Sequence, residues 1–206
     1  GDTMPLSPPS PAAPVDAIAW HKARTPISQD VYAALEEAAK KRAFTVAGVA
    51  QTDLIASVQA ALQSALEQGT TLEDFKAAVG DKLKAEWVGT VASPASRLET
   101  IFRTNTQAAY NAGRHAEATD PDTLALRPYW QFDAVSDGRT TSVCRACNGV
   151  VLPASDPWWR THLPPLHFNC RSTFHALTRR QAAALGIAPQ GPAAAPAAGF
   201  GASPSE

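Results

Sequence analysis

Residues 144–147 read Cys-Arg-Ala-Cys and residues 167–170 read His-Phe-Asn-Cys, and these two short stretches decide how the second half of the chain is read. They hold all three cysteines of the protein. As a spacing they give C-x2-C, a gap of about twenty residues, and H-x2-C. Each pair sets two ligand side chains three positions apart and turns both toward one point. Cys3His is an ordinary ligand set for a tetrahedral zinc ion. The predicted ligands are Cys144, Cys147, His167 and Cys170, with structural Zn2+ as cofactor. Four protein ligands leave no open coordination position, which argues against metal catalysis. Other readings stay open on the residues alone. A redox C-x-x-C lacks a surrounding thioredoxin-like βαβ unit and leaves Cys170 over. A disulfide framework needs an oxidising compartment that nothing here implies, and three cysteines leave an odd one. Buried, chemically idle cysteines with a core histidine are the third reading.

Around the motif the chain is rich in Pro, Trp and His, and its apolar runs are short. Residues 129–135 alternate well enough for a strand, 149–152 supply a hairpin partner, 172–177 a third strand, and 178–185 a last helical turn ending at Gly186. Three thin strands offer little apolar area, so the metal is expected to serve as the core of this module.

Before residue 120 the pattern is helical. Val31, Ala34, Leu35 and Ala38 predict a helix over 28–41 capped by Ser28. Ile55, Val58, Leu62 and Leu66 make a stripe that opens at Thr52 and stops at Gly69. Thr71 with Asp74 forms a capping box for a third helix with the stripe Leu72, Phe75, Val79 and Leu83, weakened at Gly80. Ser93-Pro94 starts the longest helix, with Leu98, Ile101, Phe102, Asn105, Ala109, Ala112 and Ala116 on one face. The small residues of its second half predict a close neighbour there. The fold class is therefore α+β: a mainly helical N-terminal portion (15–120) followed by a small zinc-stapled, β-containing module (121–188). Residues 1–14 and 189–206 are rich in Pro, Ala, Gly and Ser and are expected to be flexible tails.

The 206 residues carry 18 Lys+Arg against 19 Asp+Glu, a formal charge of -1, so no chain-wide basic field advertises nucleic acid or an anionic membrane. Charged residues are only 18% while Ala makes up about a fifth, which favours helices. No apolar run approaches the roughly 18 residues of a bilayer span and no secretory leader pattern opens the chain, so a soluble protein is expected. His21, His115, His162 and His175 lack partners at metal spacing. Trp158 and Trp159 read as a packing lid over the module. Arg139, Arg171, Arg179 and Arg180 read as a solvated face, with DNA contact as the alternative.

The run Arg97-Leu98-Glu99-Thr100-Ile101-Phe102-Arg103-Thr104-Asn105, with Ala109-Tyr110-Asn111-Ala112-Gly113-Arg114, resembles the helix signature of the phage Mu F-like minor head proteins, also called the SPP1 gp7-type head morphogenesis family. The likeness continues through Pro128-Tyr129-Trp130, Asp137-Gly138-Arg139-Thr140, Asp156-Pro157-Trp158-Trp159 and Pro164-Pro165-Leu166-His167-Phe168-Asn169-Cys170-Arg171. It also takes in the earlier stretches 43–48 and 69–75. This resemblance implies a non-enzymatic phage or prophage protein that joins the procapsid at the portal vertex, in the head near the DNA entry point, and assists head morphogenesis or DNA delivery. The implied partner is the portal protein, with the major capsid or scaffolding protein and packaged DNA as further partners and no membrane. Longer relatives append toxin or enzyme domains after the shared region, and the 189–206 stretch predicts no such cargo here. Two other functions fit the residues: a zinc-stapled HNH-like nuclease using His175 with Asp137, and a small DNA-contacting module using the four arginines.

Overall fold

A computed structural model describes residues 14–40 and 42–204, so most of the N-terminal tail expected over 1–14 lies outside the described residues. The described residues begin with helix α1 (Val15–Lys22), the two-residue strand β1 (Thr25–Pro26), and the short helices α2 (Gln29–Ala33) and α3 (Glu37–Lys40). Strand β2 (Ala43–Phe44) then pairs in parallel with β1. The single helix expected over 28–41 is thus broken in two. The first part of its predicted stripe stays in solvent: Val31 is 52% exposed, Ala34 is exposed, and α2 buries nothing. Without a buried face a short helix has little to hold it.

The next two helices follow their patterns. In α4 (Thr52–Gln68) the stripe Ile55, Val58, Leu62 and Leu66 is buried, and Gly69 closes the helix in the left-handed conformation at φ 68°. Gln51 rather than Thr52 takes the cap position. In α5 (Leu72–Glu86) the capping box forms: Asp74 N–H donates to Thr71 Oγ1 (3.2 Å) and Thr71 N–H to Asp74 Oδ2 (2.7 Å). Helix α6 (Pro94–Thr119) runs 26 residues from Pro94 in its first turn. Its N-terminal half joins α4, α5 and the 44–49 loop around Phe44, Ile55, Phe75, Leu83, Trp87 and Leu98. Its second half takes α1 at close range. A Cβ on Gly113 would stand 2.8 Å from Ala17 N, which is the near neighbour that the small residues predict.

After the six-residue helix α7 (Pro121–Leu126), capped by Asp120, come β3 (Tyr129–Asp133), helix α8 (Ser142–Cys147), β4 (Val151–Pro153), helix α9 (Trp159–His162), β5 (Thr173–Leu177) and α10 (Arg179–Leu185). The sheet is antiparallel with order β4-β3-β5, Trp130 opposite Leu152 on one side and Ala176 on the other. The fold is α+β, helical first and then a small antiparallel sheet. One expectation needs correcting. The module has a core of its own, in which Trp130, Phe132, Trp159, Leu163, Leu166 and Phe174 pack with Leu152 and the cysteines. Trp130 meets Trp159 edge-on at 5.5 Å and Phe174 at 5.0 Å. Each such aromatic contributes about 1.5–3 kcal/mol by burial, so the module does not depend on a metal for apolar cohesion.

Residues 189–204 form no helix or strand, as composition suggests, yet they do not stand off as a tail. They lie along the module, with Ala197 N–H donating to Leu166 O (2.9 Å) and Leu163 N–H to Gly201 O (2.9 Å). Backbone pairing and ring contacts replace the large side chains that the segment lacks. No helix among the described residues is long and apolar enough to cross a membrane.

Candidate metal centre

Helix α8 carries Cys144 and Cys147, and the turn after α9 carries His167 and Cys170. The turn is tight: Cys170 N–H donates to His167 O (3.3 Å), and Asn169 sits in the left-handed region at φ 57°. Two threonines of α6 pin it there. Asn169 N–H donates to Thr104 Oγ1 (3.0 Å) and Asn169 Nδ2 to Thr100 Oγ1 (3.0 Å). One and two turns further along, Gln107 Nε2 (2.8 Å) and Asn111 Nδ2 (3.1 Å) both donate to Ser172 O, and Thr173 Oγ1 donates to Asn111 Oδ1 (2.8 Å). Residues 100, 104, 107 and 111 fall at three- and four-residue spacing, so one polar row of α6 receives the whole 169–173 segment.

Cys144, His167 and Cys170 come together, their ligand atoms all within 4.8 Å of one another. Cys144 Sγ lies 3.7 Å from Cys170 Sγ and 3.1 Å from His167 Nε2. Two thiolates bound to one zinc at about 2.3 Å would stand about 3.8 Å apart at the tetrahedral angle, close to the observed separation. A thiolate and an imidazole nitrogen on the same ion would stand about 3.5 Å apart, so the His167 edge opens by a few tenths of an ångström to admit it. His167 Nδ1 faces the carbonyl of Phe168 at 2.8 Å. A carbonyl only accepts, so Nδ1 carries the proton and the Nε2 lone pair is directed at the cluster, the tautomer that ligation requires. Thr141 Oγ1 lies 2.9 Å from the same nitrogen.

The sulfurs are electrostatically unequal. The hydrogen bond between Cys144 and Cys170 holds Cys170 on the thiolate side, helped by backbone hydrogen bonds at Leu166 and Ser172. The same bond, with burial, raises the Cys144 thiol. Cys147 is pushed up to about 11 by burial and then by the Cys170 charge nearby. A divalent cation would invert this order and deprotonate the ligating thiols. The four-ligand set expected from spacing is thus assembled in three parts of four: Cys147, on the last residue of α8, is fully buried in the aromatic core and lies outside the cluster.

The other predicted residues are dispersed. Arg171 forms a bidentate pair with Asp137, both contacts at 2.6 Å, and Arg139 N–H donates to Asp137 Oδ1 (2.8 Å). The Arg171 guanidinium first, and that amide second, hold the Asp137 carboxyl well below the usual carboxylate range. Arg139 and Arg171 flank a cleft of about 20 Å³ over Thr141, Cys144 and His167, room for one water-sized group. Arg179 and Arg180 are exposed on the first turn of α10. His175 pairs with Asp133 (2.9 Å), not with Asp137. The polar row of α6 and Thr141 were not singled out from sequence. Their signal is Thr104, Gln107 and Asn111 set among small apolar residues on a helix too long to be wholly solvated.

A family model described as "Phage Mu protein F like protein" matches residues 56–175, from α4 through the cluster to β5. The chain belongs to the phage Mu F-like family. Its Mu F-like relatives include the protein named "Putative capsid assembly protein F" of Escherichia phage Mu, 34% identical over 190 residues, covering 84% of this chain and 42% of that protein. A second is the "Mu-like prophage FluMu F protein" of Haemophilus influenzae, 32% identical over 162 residues, covering 73% of this chain and 38% of that protein. The chain therefore spans about two fifths of the length of these Mu F-like relatives. No solved structure matches it.

Proposed function

We propose that this chain is a non-enzymatic head-assembly protein of a phage or prophage that joins the procapsid at the portal vertex, in the head, and assists morphogenesis or DNA delivery. The observation that carries this reading is the continuous match to the Mu F-like family over 56–175, which includes both the long helix and the Cys/His turn. The relative in phage Mu bears the name of a capsid assembly protein. A near-neutral charge suits protein contacts better than bulk DNA binding. The portal protein is the expected partner, with major capsid or scaffolding protein beside it.

Within that role the cluster is a structural zinc site. Cys144, His167 and Cys170 would hold the ion, and Cys147, one helical turn along α8, would complete it by turning its buried thiol inward. When bound, the ion supplies a fixed cross-link between α8 and the 167–170 turn. The nuclease reading loses its pair, since Asp137 is held by Arg171 and His175 by Asp133. DNA contact rests on Arg139, Arg179 and Arg180, with Arg171 already engaged by Asp137.

Co-expression with the portal and major capsid proteins of the same phage tests the reading. The chain is expected to co-purify with portal oligomers and to be retained in procapsids. Absence from both under assembly conditions, or metal-dependent plasmid cleavage abolished by His175→Ala, would overturn it.

A further inference from the structure

The segment after α10 is held by a groove that recognises its main chain. Trp158 and His162 stack at 4.4 Å with only 11° between their planes and form the floor. Trp158 Nε1–H donates to Pro192 O (2.9 Å), and His162 Nε2 lies 2.9 Å from Ala194 O. Ala197 N–H donates to Leu166 O (2.9 Å), Gly201 N–H to Pro165 O (3.1 Å), and Leu163 N–H to Gly201 O (2.9 Å). All five contacts use the segment's own backbone. Its one large side chain, Phe200, closes edge-on over Phe168 at 4.9 Å.

Two positions are read by exclusion. A methyl group on Gly191 would overlap the Trp158 ring, and one on Gly201, at φ 84°, would overlap Thr161 O and crowd Pro196. Pro192 and Pro196 fix φ between them and reduce the entropy lost when the segment is seated. Aromatic shelves that bind extended proline-rich chain through backbone carbonyls are a recurring mode of peptide recognition.

The connection to α10 is short and is held chiefly at Ala188, which packs against the module core. Gly186 leaves the helix at φ 91°, residues 187, 189 and 190 are exposed, and Ala188 N–H to Val151 O (2.9 Å) is the one backbone bond found across them. None of the groove contacts requires that the segment come from the same molecule. A short hinge beside a self-contained ligand is the arrangement that permits exchange between identical chains.

We propose that the groove of Trp158, His162, Leu166 and Phe168 is a recognition site for an extended Pro/Ala-rich peptide with glycines at positions 191 and 201, and that its occupant in an assembly is the 190–203 segment of a second copy of this chain. This goes beyond the head-assembly reading and does not depend on the portal being the partner.

The test uses the full chain with a protease site inserted between Pro189 and Gln190 and cut after folding. Native mass spectrometry then follows replacement of the cut segment by an isotopically heavy synthetic peptide of residues 190–206. The cut segment is expected to stay bound through gel filtration and to be displaced by the heavy peptide in a saturable manner. A peptide carrying Gly191→Val is expected to compete about tenfold or more weakly. Uncut light and heavy chains mixed at high concentration are expected to form mixed dimers. A groove that takes no peptide, or takes the Gly191→Val peptide equally well, overturns the recognition site. Uncut chains that stay monomeric up to millimolar concentration overturn the second copy as occupant.

Discussion

The sulfur atoms of Cys144 and Cys170 stand 3.7 Å apart. That is far beyond the roughly 2.05 Å of a disulfide and near the edge of a tetrahedral dithiolate site. With His167 Nε2 3.1 Å from the first sulfur, the three groups are spaced much as one face of a ligand tetrahedron would be, and α6 pins the turn that carries His167 and Cys170 through Asn169.

Cys147 decides whether the site closes on three sulfurs or two. In the cobalt(II)-loaded protein the thiolate-to-metal charge-transfer absorption is expected to fall by about a third in Cys147→Ser, as three sulfur ligands become two. An unchanged spectrum would leave Cys147 a core residue and the fourth position to solvent.

Removal of the metal is expected to loosen α8 and the 167–170 turn while the Trp130, Trp159 and Phe174 packing persists. Hydrogen exchange should rise at residues 142–147 and 167–171 on chelation, with β3 and β5 protected as before. Collapse of the entire module would show that its aromatic core is insufficient.

The Asp137–Arg171 pair gives a pH dependence of known sign. The folded carboxyl is depressed, so its contribution is present above the unfolded value of about 3.9 and is lost as pH falls through the folded value. Wild type and Asp137→Asn should therefore differ in thermal stability at pH 6, and the difference should shrink progressively as pH falls below about 4. Parallel curves across that range would contradict the assignment.

Asn111 is 2% exposed and joins α6 to both Ser172 and Thr173. Asn111→Leu leaves Ser172 O with Gln107 alone and strips the Thr173 hydroxyl of its acceptor. The expected loss is about 1–3 kcal/mol, read from denaturant unfolding. A change below a few tenths would mean that the polar row does not hold the module.

Gly113→Ala sets two effects against each other. Helix propensity favours alanine by about 1 kcal/mol, but the new Cβ would meet Ala17 N at 2.8 Å, and overpacking of a close helix contact costs about 1–3 kcal/mol. The clash is expected to win and lower the melting temperature. Gly80→Ala, whose nearest non-local neighbour would be Leu98 at 3.5 Å, should raise it.

Where burial and periodicity coincide, the fold was legible in the residues. The stripes of α4 and α5, the capping box at Thr71 and the exit at Gly69 are local signals with nothing to override them. The helix expected over 28–41 failed because a spacing pattern does not say whether a partner faces it. Helices α1, α7 and α8 are too short for periodicity to register. The aromatic core was hidden because Trp130, Trp159 and Phe174 meet only after three strands are assembled. The contacts of the 190–203 segment were not legible because composition reports missing side chains, while those contacts come from the backbone and from two glycines that fit. For the centre, spacing predicted Cys144, His167 and Cys170 correctly as neighbours. It could not reveal that α6 pins the 167–170 turn or that Cys147 lies outside the cluster.

Native mass spectrometry of the full chain, purified without chelator, tests the centre most directly. The account predicts one divalent ion per chain, zinc by mass, lost in His167→Ala and in Cys170→Ser. A metal-free chain, or one lighter by the two hydrogens of a Cys144–Cys170 disulfide, would contradict it.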